Sequence, residues 1–340
     1  MSAPAVLPSV AIPTRDGGEL FIRTLAALAL QTVAHELIVC DSGSTDGTVA
    51  AARASGARVL QIEPARFSHG GTRNLLMAES GGARVAFLTQ DAEPADERWL
   101  ELLIGGLDIA ADVAIAYGPY RPRPRSAPAV RAELEAWFES LAPDGQARVE
   151  RLAVEERALP AVELVGRRGF FTDANACIAR SAWEAVPFRD VAYAEDRVLA
   201  LDMLRAGHAK AFVPEAAVLH SHDYTTAQEL RRCFDEWRGL REVYGWHEPA
   251  SPVHLLSQLR GRLGNARREL AGAPSRERLL GLARVGTRHG ARTAGAMLGS
   301  RADLLPPVLR RALSLERRAG FDPLDLDAPP HPLPPPHLRP

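Results

Sequence analysis

An α/β fold on a parallel sheet is predicted by three features of this sequence. Short apolar runs recur at Val10-Ala11-Ile12, Leu37-Ile38-Val39-Cys40, Val59-Leu60-Gln61-Ile62 and Val85-Ala86-Phe87-Leu88. Helix-prone segments separate them, the first with Leu20, Phe21, Leu25 and Leu28 at helical spacing. The runs also leave into polar or acidic segments, as at Thr14-Arg15-Asp16, Asp41-Ser42-Gly43 and Thr89-Gln90-Asp91. Strand, helix and strand within about 30 residues make a βαβ unit, which implies parallel strands joined by a right-handed crossover.

In chain order, Pro13 is expected to stop the first strand, and Gly17-Gly18 to break the chain before the first helix. Thr48 to Ala54 is Ala-rich and reads as a second helix. The turn from Asp41 to Gly47 matches neither GxGxxG nor GxxxxGK[ST]. Its composition suits an Asx-turn, and Asp41 at a strand end can also accept from a nucleobase N–H or a ribose hydroxyl. Gly70-Gly71 precede Leu75-Leu76-Met77, so the backbone there is expected to approach a ligand at a helix start. Arg73 is poorly placed for the helix dipole, which favours a role outside the helix, at a nucleotide base or phosphate. A solvated surface role is the alternative for that side chain.

Asp91 lies just beyond a buried-looking strand, where open α/β sheets hold their ligands. It can equally cap the next helix, since Glu93-Pro94 before Trp99 and Leu100 suggests a helix start. Four prolines with Arg between them occupy 119–128, an extended segment, and Leu134 to Glu156 is helix-prone. Phe170 to Ile178 returns to strand-like chemistry. Glu195-Asp196 then open a helix that runs to Gly207. An acidic pair in a first turn suits the dipole, and it is also a rigid place to hold a general base. Phe212-Val213 and Val218-Leu219 suggest a further strand pair ending in His220-Ser221-His222-Asp223, whose two histidines share a face if extended.

Composition excludes several classes. With 46% hydrophobic and 24% charged residues the chain is an ordinary globular protein, and 340 residues allow one large domain or one and a half. Cys40, Cys177 and Cys233 have neither CxxC nor zinc-ligand spacing. No run approaches the ~18 apolar residues of a membrane span, and no secretory signal is expected from residues 1–12. The net charge of −1 conceals 14 Arg against 4 acids between Arg260 and Arg318. Leucines at helical spacing accompany those arginines, which suits either basic amphipathic helices at a membrane surface or helices packed on the rest of the protein. No nucleic-acid-binding module is present, so no nucleic-acid partner is expected.

Seven pieces in order over roughly residues 8–245 resemble a family 2 glycosyltransferase, and in particular the bacterial rhamnosyltransferase-type members. They are Ile12-Pro13-Thr14-Arg15, Ile38 to Thr48, Gly71-Thr72-Arg73-Asn74, Phe87 to Ala92, Phe170 to Ala176, Glu195-Asp196, and His220 to Tyr224. The resemblance implies a Rossmann-like mixed sheet of the GT-A type, flanked by helices and followed by a helical C-terminal extension. It implies inverting, metal-dependent transfer of a sugar, with L-rhamnose as the candidate, from a dTDP- or UDP-linked donor to a cell-surface glycan or lipid-linked acceptor. Thr14 and Asp41 are then expected to hold nucleobase and ribose, Arg73 the base or diphosphate, and Arg15 and Gln90 to face the donor. Asp91 matches the last acid of the family's DxD motif, but Thr89 and Gln90 replace the other two positions. The Mg2+ or Mn2+ shell therefore calls on His220 or His222. Asp196, beside Glu195, becomes the catalytic base, and Asp173 and Asn175 the acceptor side. Two other readings stay open: a sugar nucleotidyltransferase on a similar sheet, and a non-catalytic glycan-binding or scaffold protein derived from this fold. The expected organisation is a catalytic domain at 1–245, a basic helical region at 246–321 and a disordered Pro-rich tail at 322–340. The expected location is cytoplasmic, peripheral on the inner face of the cell membrane.

Overall fold

Strands that alternate apolar side chains to two faces need helices on both, and the computed structural model has that arrangement. It describes residues 6–164, 167–191, 193–249, 251–269, 271–272 and 274–328. The chain divides into two compact units, Met1–Val191, Glu195–His222 and Asp327–Pro340 in the first, and Ala192–Ala194 and Asp223–Leu326 in the second. The first unit begins β1 (Ser9–Thr14), α1 (Gly18–Ala29), β2 (Glu36–Asp41), α2 (Thr48–Ala54), β3 (Arg58–Gln61) and α3 (His69–Glu79). Next come β4 (Arg84–Leu88), β5 (Glu93–Pro94), α4 (Trp99–Gly105), β6 (Val113–Tyr117), β7 (Tyr120–Arg121), α5 (Pro128–Leu141) and β8 (Arg148–Glu150). It ends with α6 (Ala161–Leu164), β9 (Asn175–Ala179), α7 (Arg180–Ala185), α8 (Glu195–Arg205), β10 (Ala209–Phe212) and β11 (Val218–Leu219).

Among the described residues the main sheet has the order β3-β2-β1-β4-β9-β6-β10-β8, and a small sheet has the order β5-β11-β7. The sheet is mixed, because β9 runs antiparallel between β4 and β6, and β8 is antiparallel to β10. Alternation sorts the core. Ala11, Ile38, Cys40, Val85 and Phe87 face α3, α7 and α8 through Leu76, Trp183 and Leu199. Val10, Ile12, Val39, Ala86 and Leu88 face α1 and α4 through Phe21, Leu25 and Trp99. Successive strand residues point to opposite faces, so each apolar run feeds both layers.

Several expectations are corrected. Pro13 does not stop β1. Pairing with β4 ends at Ala11, so the missing N–H falls beyond that ladder while β2 continues to Thr14. Glu93-Pro94 is a strand and no helix start. Leu134 to Glu156 is interrupted because Pro143-Asp144-Gly145, with φ +70° at the glycine, turns the chain into β8. Gly70 serves packing inside the protein, since a Cβ there would stand 2.1 Å from the carbonyl oxygen of Arg189. The strand-like stretch from Phe170 shortens to Asn175–Ala179.

Asn175, expected at the acceptor side, is wholly buried. Its Oδ1 accepts from Trp99 Nε1 at 2.8 Å, and its Nδ2 donates to the carbonyls of Ala216 at 2.8 Å and Pro119 at 3.3 Å. It bolts β9 to α4 and to the loop before β11.

The second unit holds α9 (Thr226–Tyr244), α10 (Pro252–Glu269), α11 (Ser275–Gly299) and α12 (Pro307–Leu313). A capping box of Thr225 and Gln228 starts α9, and Gly245 at φ +68° ends it. The helix α11 lies close on α9, where a Cβ on Gly295 or Gly299 would meet the carbonyl oxygen of Leu230 or Phe234 at 2.2 or 2.3 Å. In this division α9 belongs with the C-terminal helices, whereas the expected organisation drew its boundary at 245/246. Residues 322–326 are held against α9: the N–H groups of Asp322 and Leu324 donate to the Glu242 side chain and carbonyl. Asp327 pairs with Arg205. The rest of the expected disordered tail lies outside the described residues. No helix among the described residues is long and apolar enough to cross a membrane.

Replacing Asn175 by Ala orphans the Trp99 N–H and the Ala216 carbonyl in the core. We expect a loss of about 3 kcal/mol of stability, read as a lower urea midpoint by tryptophan fluorescence. An unchanged midpoint refutes this account of Asn175.

Candidate active site

The small sheet brings three distant segments to the carboxyl edge of the main sheet. In the antiparallel β11–β5 pair, Leu219 stands opposite Glu93, and in the parallel β11–β7 pair it stands opposite Arg121. Just beyond these ladders, Ser221 meets the Arg123 N–H, and the Arg123 guanidinium joins Ser221 to Asp91. The histidines on either side of Ser221 therefore flank Asp91. His220 Nδ1 is 3.5 Å from Asp91 Oδ1, and His222 Nε2 is 3.5 Å from Asp91 Oδ2. One ligand atom from each of the three residues lies within 4.8 Å of the others. Asp91 caps no helix, since α4 starts eight positions later with Arg98 at its N-cap.

Arg123 braces this cluster, and the sequence did not single it out. Its guanidinium donates to the main-chain carbonyls of Asp91 and Ser221, the latter at 2.9 Å. Its backbone N–H reaches Ser221 Oγ at 3.0 Å. Burial alone raises the Asp91 carboxyl, but His220, His222 and Arg123 outweigh it and hold the group below its ordinary value. The only sequence signal for Arg123 was the Arg-Pro alternation of the extended segment, which locates no partner.

Beside the cluster, Thr14, Arg15 and Gln90 come together. Gln90 Oε1 accepts from the Thr14 hydroxyl and the Arg15 backbone N–H, both at 2.8 Å, and so joins the exits of β1 and β4. The Arg15 side chain is exposed. Asp41 is wholly buried and its carboxylate accepts from the N–H groups of Gly43 and Ser44, an Asx-turn. In this arrangement it shapes the turn and presents no surface to a nucleoside.

Arg73 and Asp173 also differ from expectation. Arg73 is 3% exposed, bonded to Asp173 at 2.5 and 2.6 Å and to Glu195 at 2.9 Å. It does reach outside its helix, to two carboxylates. Asp173, at 4% exposure, is thereby withdrawn from the acceptor side. Glu195, expected as a catalytic residue beside Asp196, is likewise engaged, with Arg73 and with His69 Nδ1 at 3.7 Å. One guanidinium among three acids leaves excess negative charge. Burial first, then Glu195 and Asp196, push Asp173 well above its ordinary value against the pull of Arg73. The half-buried Asp196 stands in the first turn of α8, where its Oδ1 accepts the Arg197 N–H at 2.7 Å. Burial and the neighbouring Glu195 push its carboxyl up to about 6, with Arg197 and Arg73 opposing. A carboxylate so placed ionises near neutrality and is basic enough to take a proton.

The arrangement offers an N/O donor set for a divalent cation, a base on a rigid helix and the edge of an α/β sheet between them. Residues 9–151 match the family described as Glycosyl transferase family 2. The chain is 33% identical over 231 residues to the O-antigen chain rhamnosyltransferase RfbN of Salmonella typhimurium, covering 66% of this chain and 69% of that protein. It is 32% identical over 205 residues to the O-antigen chain rhamnosyltransferase WbaN of Salmonella anatum, covering 59% and 61%. In fold it resembles the mannosyltransferase PcManGT from Pyrobaculum calidifontis, solved in complex with GDP-Man and Mn2+. That match has a TM-score of 0.54 at 18% identity, over 86% of this chain and 87% of the other.

Proposed function

The chain belongs to glycosyl transferase family 2, and on that premise we propose that it transfers L-rhamnose from dTDP to a hydroxyl of a cell-surface glycan, with inversion. The observation that carries the reading is the cluster of Asp91, His220 and His222 on the sheet edge that also bears Asp196. RfbN and WbaN are named as rhamnosyltransferases of O-antigen chains, which supports the sugar and an O-antigen-type acceptor.

The donor set fits a divalent ion. Two imidazoles with one carboxylate suit Mn2+ better than Mg2+, which prefers oxygen ligands. Asp91, His220 and His222 would hold it, and the bound ion supplies positive charge against the donor diphosphate as the leaving group departs. Arg123 fixes the main chain under two of those ligands. Thr14, Arg15 and Gln90 form the floor beside the donor. Asp196 accepts the proton of the acceptor hydroxyl. The acceptor oxygen forms its bond to the anomeric carbon from the face opposite the diphosphate. The bond to the diphosphate oxygen breaks with its electron pair, so configuration inverts. The pair Asp91 and His220/His222, more than 120 positions apart in sequence, replaces the missing first acid of the DxD pattern. It also favours catalysis over a scaffold role.

The second unit supplies the other partner. Its arginine excess between Arg260 and Arg318, together with exposed Val253, Leu256, Leu279, Leu304 and Val308, supports contact with an anionic membrane surface. We place the enzyme on the cytoplasmic face, where a nucleotide donor meets a lipid-linked acceptor.

Three measurements test these assignments. Asp196→Asn should lower kcat by about 10²–10⁴ with donor binding kept, and the wild-type rate should fall as pH drops through about 6, because the base is then protonated. A pH-independent rate between 5 and 8 removes Asp196 from this role. Calorimetry should show Mn2+-dependent dTDP binding that Asp91→Ala weakens at least about a hundredfold, since even outer-shell changes cost 10–100-fold. Normal affinity in the variant refutes the metal assignment. The double variant Arg310→Glu, Arg311→Glu should co-sediment with phosphatidylglycerol vesicles at least about tenfold less well, each charge contributing about 1 kcal/mol. Unchanged sedimentation refutes the membrane contact.

A further inference from the structure

With Asp173 and Asn175 buried, the acceptor side needs other residues, and a row of rings supplies them. It starts at the His220 of the donor cluster. The Tyr120 ring lies 4.8 Å from His220 and 5.0 Å from Phe138, and Phe138 lies 6.3 Å from Phe170. Trp137 stands edge-on to Phe170 at 5.1 Å. The row passes from buried to open: Phe138 is 6% exposed, Phe170 half-buried and Trp137 47% exposed.

Phe170 is held from two sides. Lys210 Nζ donates to its carbonyl at 2.6 Å, and the Arg197 guanidinium lies 5.6 Å from its ring centre. Arg197 is also the residue whose N–H donates to the Asp196 carboxylate. The aromatic pair and the base are thus linked through one residue.

We infer that Trp137 and Phe170, with Arg197 beside them, form the subsite that seats the acceptor sugar ring. The inference rests on the glycosyl-transfer reading above. A pyranose has a face of C–H bonds, which packs on an aromatic surface, and a rim of hydroxyls, which needs a few fixed polar groups. An exposed indole backed by a second ring, which itself has a guanidinium 5.6 Å from its centre, meets both needs. The indole is rigid, so presenting it costs little side-chain entropy. Its place at the end of a row that begins at the donor cluster and touches the neighbour of the base fits an acceptor and not a second donor.

Saturation-transfer NMR with methyl α-L-rhamnoside, methyl α-D-mannoside and methyl β-D-galactoside tests this on the full chain. At least one probe should bind wild type, with Kd raised about tenfold in Trp137→Ala and largely restored in Trp137→Phe. Calorimetry of dTDP with Mn2+ should be unchanged in both variants, and thermal midpoints close to wild type. No saturation transfer to any probe in wild type, or equal Kd in Trp137→Ala, overturns the subsite. So does a change of oligomeric state in Trp137→Ala with glycan affinity intact, which assigns the indole to self-association. Probe binding as expected without any transfer from dTDP-rhamnose leaves the subsite standing and removes the transfer reading. Transfer with an unchanged acceptor KM in Trp137→Ala does the reverse.

Discussion

The register of one two-residue strand governs the site. Because Leu219 stands opposite both Glu93 and Arg121, the residues after it run alongside Asp91 on one side and Arg123 on the other. A slip of one place would turn both histidines to the opposite face. So short a strand has little stability of its own, and the guanidinium of Arg123, bonded to the carbonyls of Asp91 and Ser221, joins the two flanking segments. Three separated segments are in this way brought to one cluster of a carboxylate and two imidazoles.

A second device stands on the acceptor flank. Arg73 is buried among Asp173, Glu195 and Asp196, and a single positive charge cannot satisfy three acids in a poorly solvated place. Asp173 and Glu195 take its hydrogen bonds, while Asp196 accepts from the Arg197 main-chain N–H and has a raised affinity for protons. Two of the acids thereby tune the third. Arg73, Asp173 and Glu195, which resembled direct ligand contacts, form the charged surroundings of Asp196. The aromatic row from His220 through the buried Phe138 to the exposed Trp137 links this flank to the Asp91 cluster within the first unit.

The second unit follows different rules. Its helices are matched by close approach at Gly295 and Gly299 on α9, and by Arg288 paired with Glu229 at 2.6 Å. Much of the remaining arginine and several large apolar side chains face outward. On the membrane reading proposed above, such a face is received by an anionic lipid surface.

The sequence by itself determined the layered α/β architecture, the central strands and the sheet edge at which chemistry occurs. Those depend on apolar periodicity and turn chemistry, which are local and therefore legible. It also brought forward Asp91, His220, His222 and Asp196, because an acid or histidine at a strand or helix terminus is a local pattern too. What tertiary structure decided was which polar residues are spent inside the protein. Arg73, Asp173, Asn175 and Glu195 carry the same side chains in either role, and only their partners show that they are engaged inside the protein. Arg123 and Trp137 were silent for the complementary reason. Their significance lies in what stands across from them, at separations of 32 positions to Asp91 and 33 to Phe170, and no local pattern encodes a distance across space.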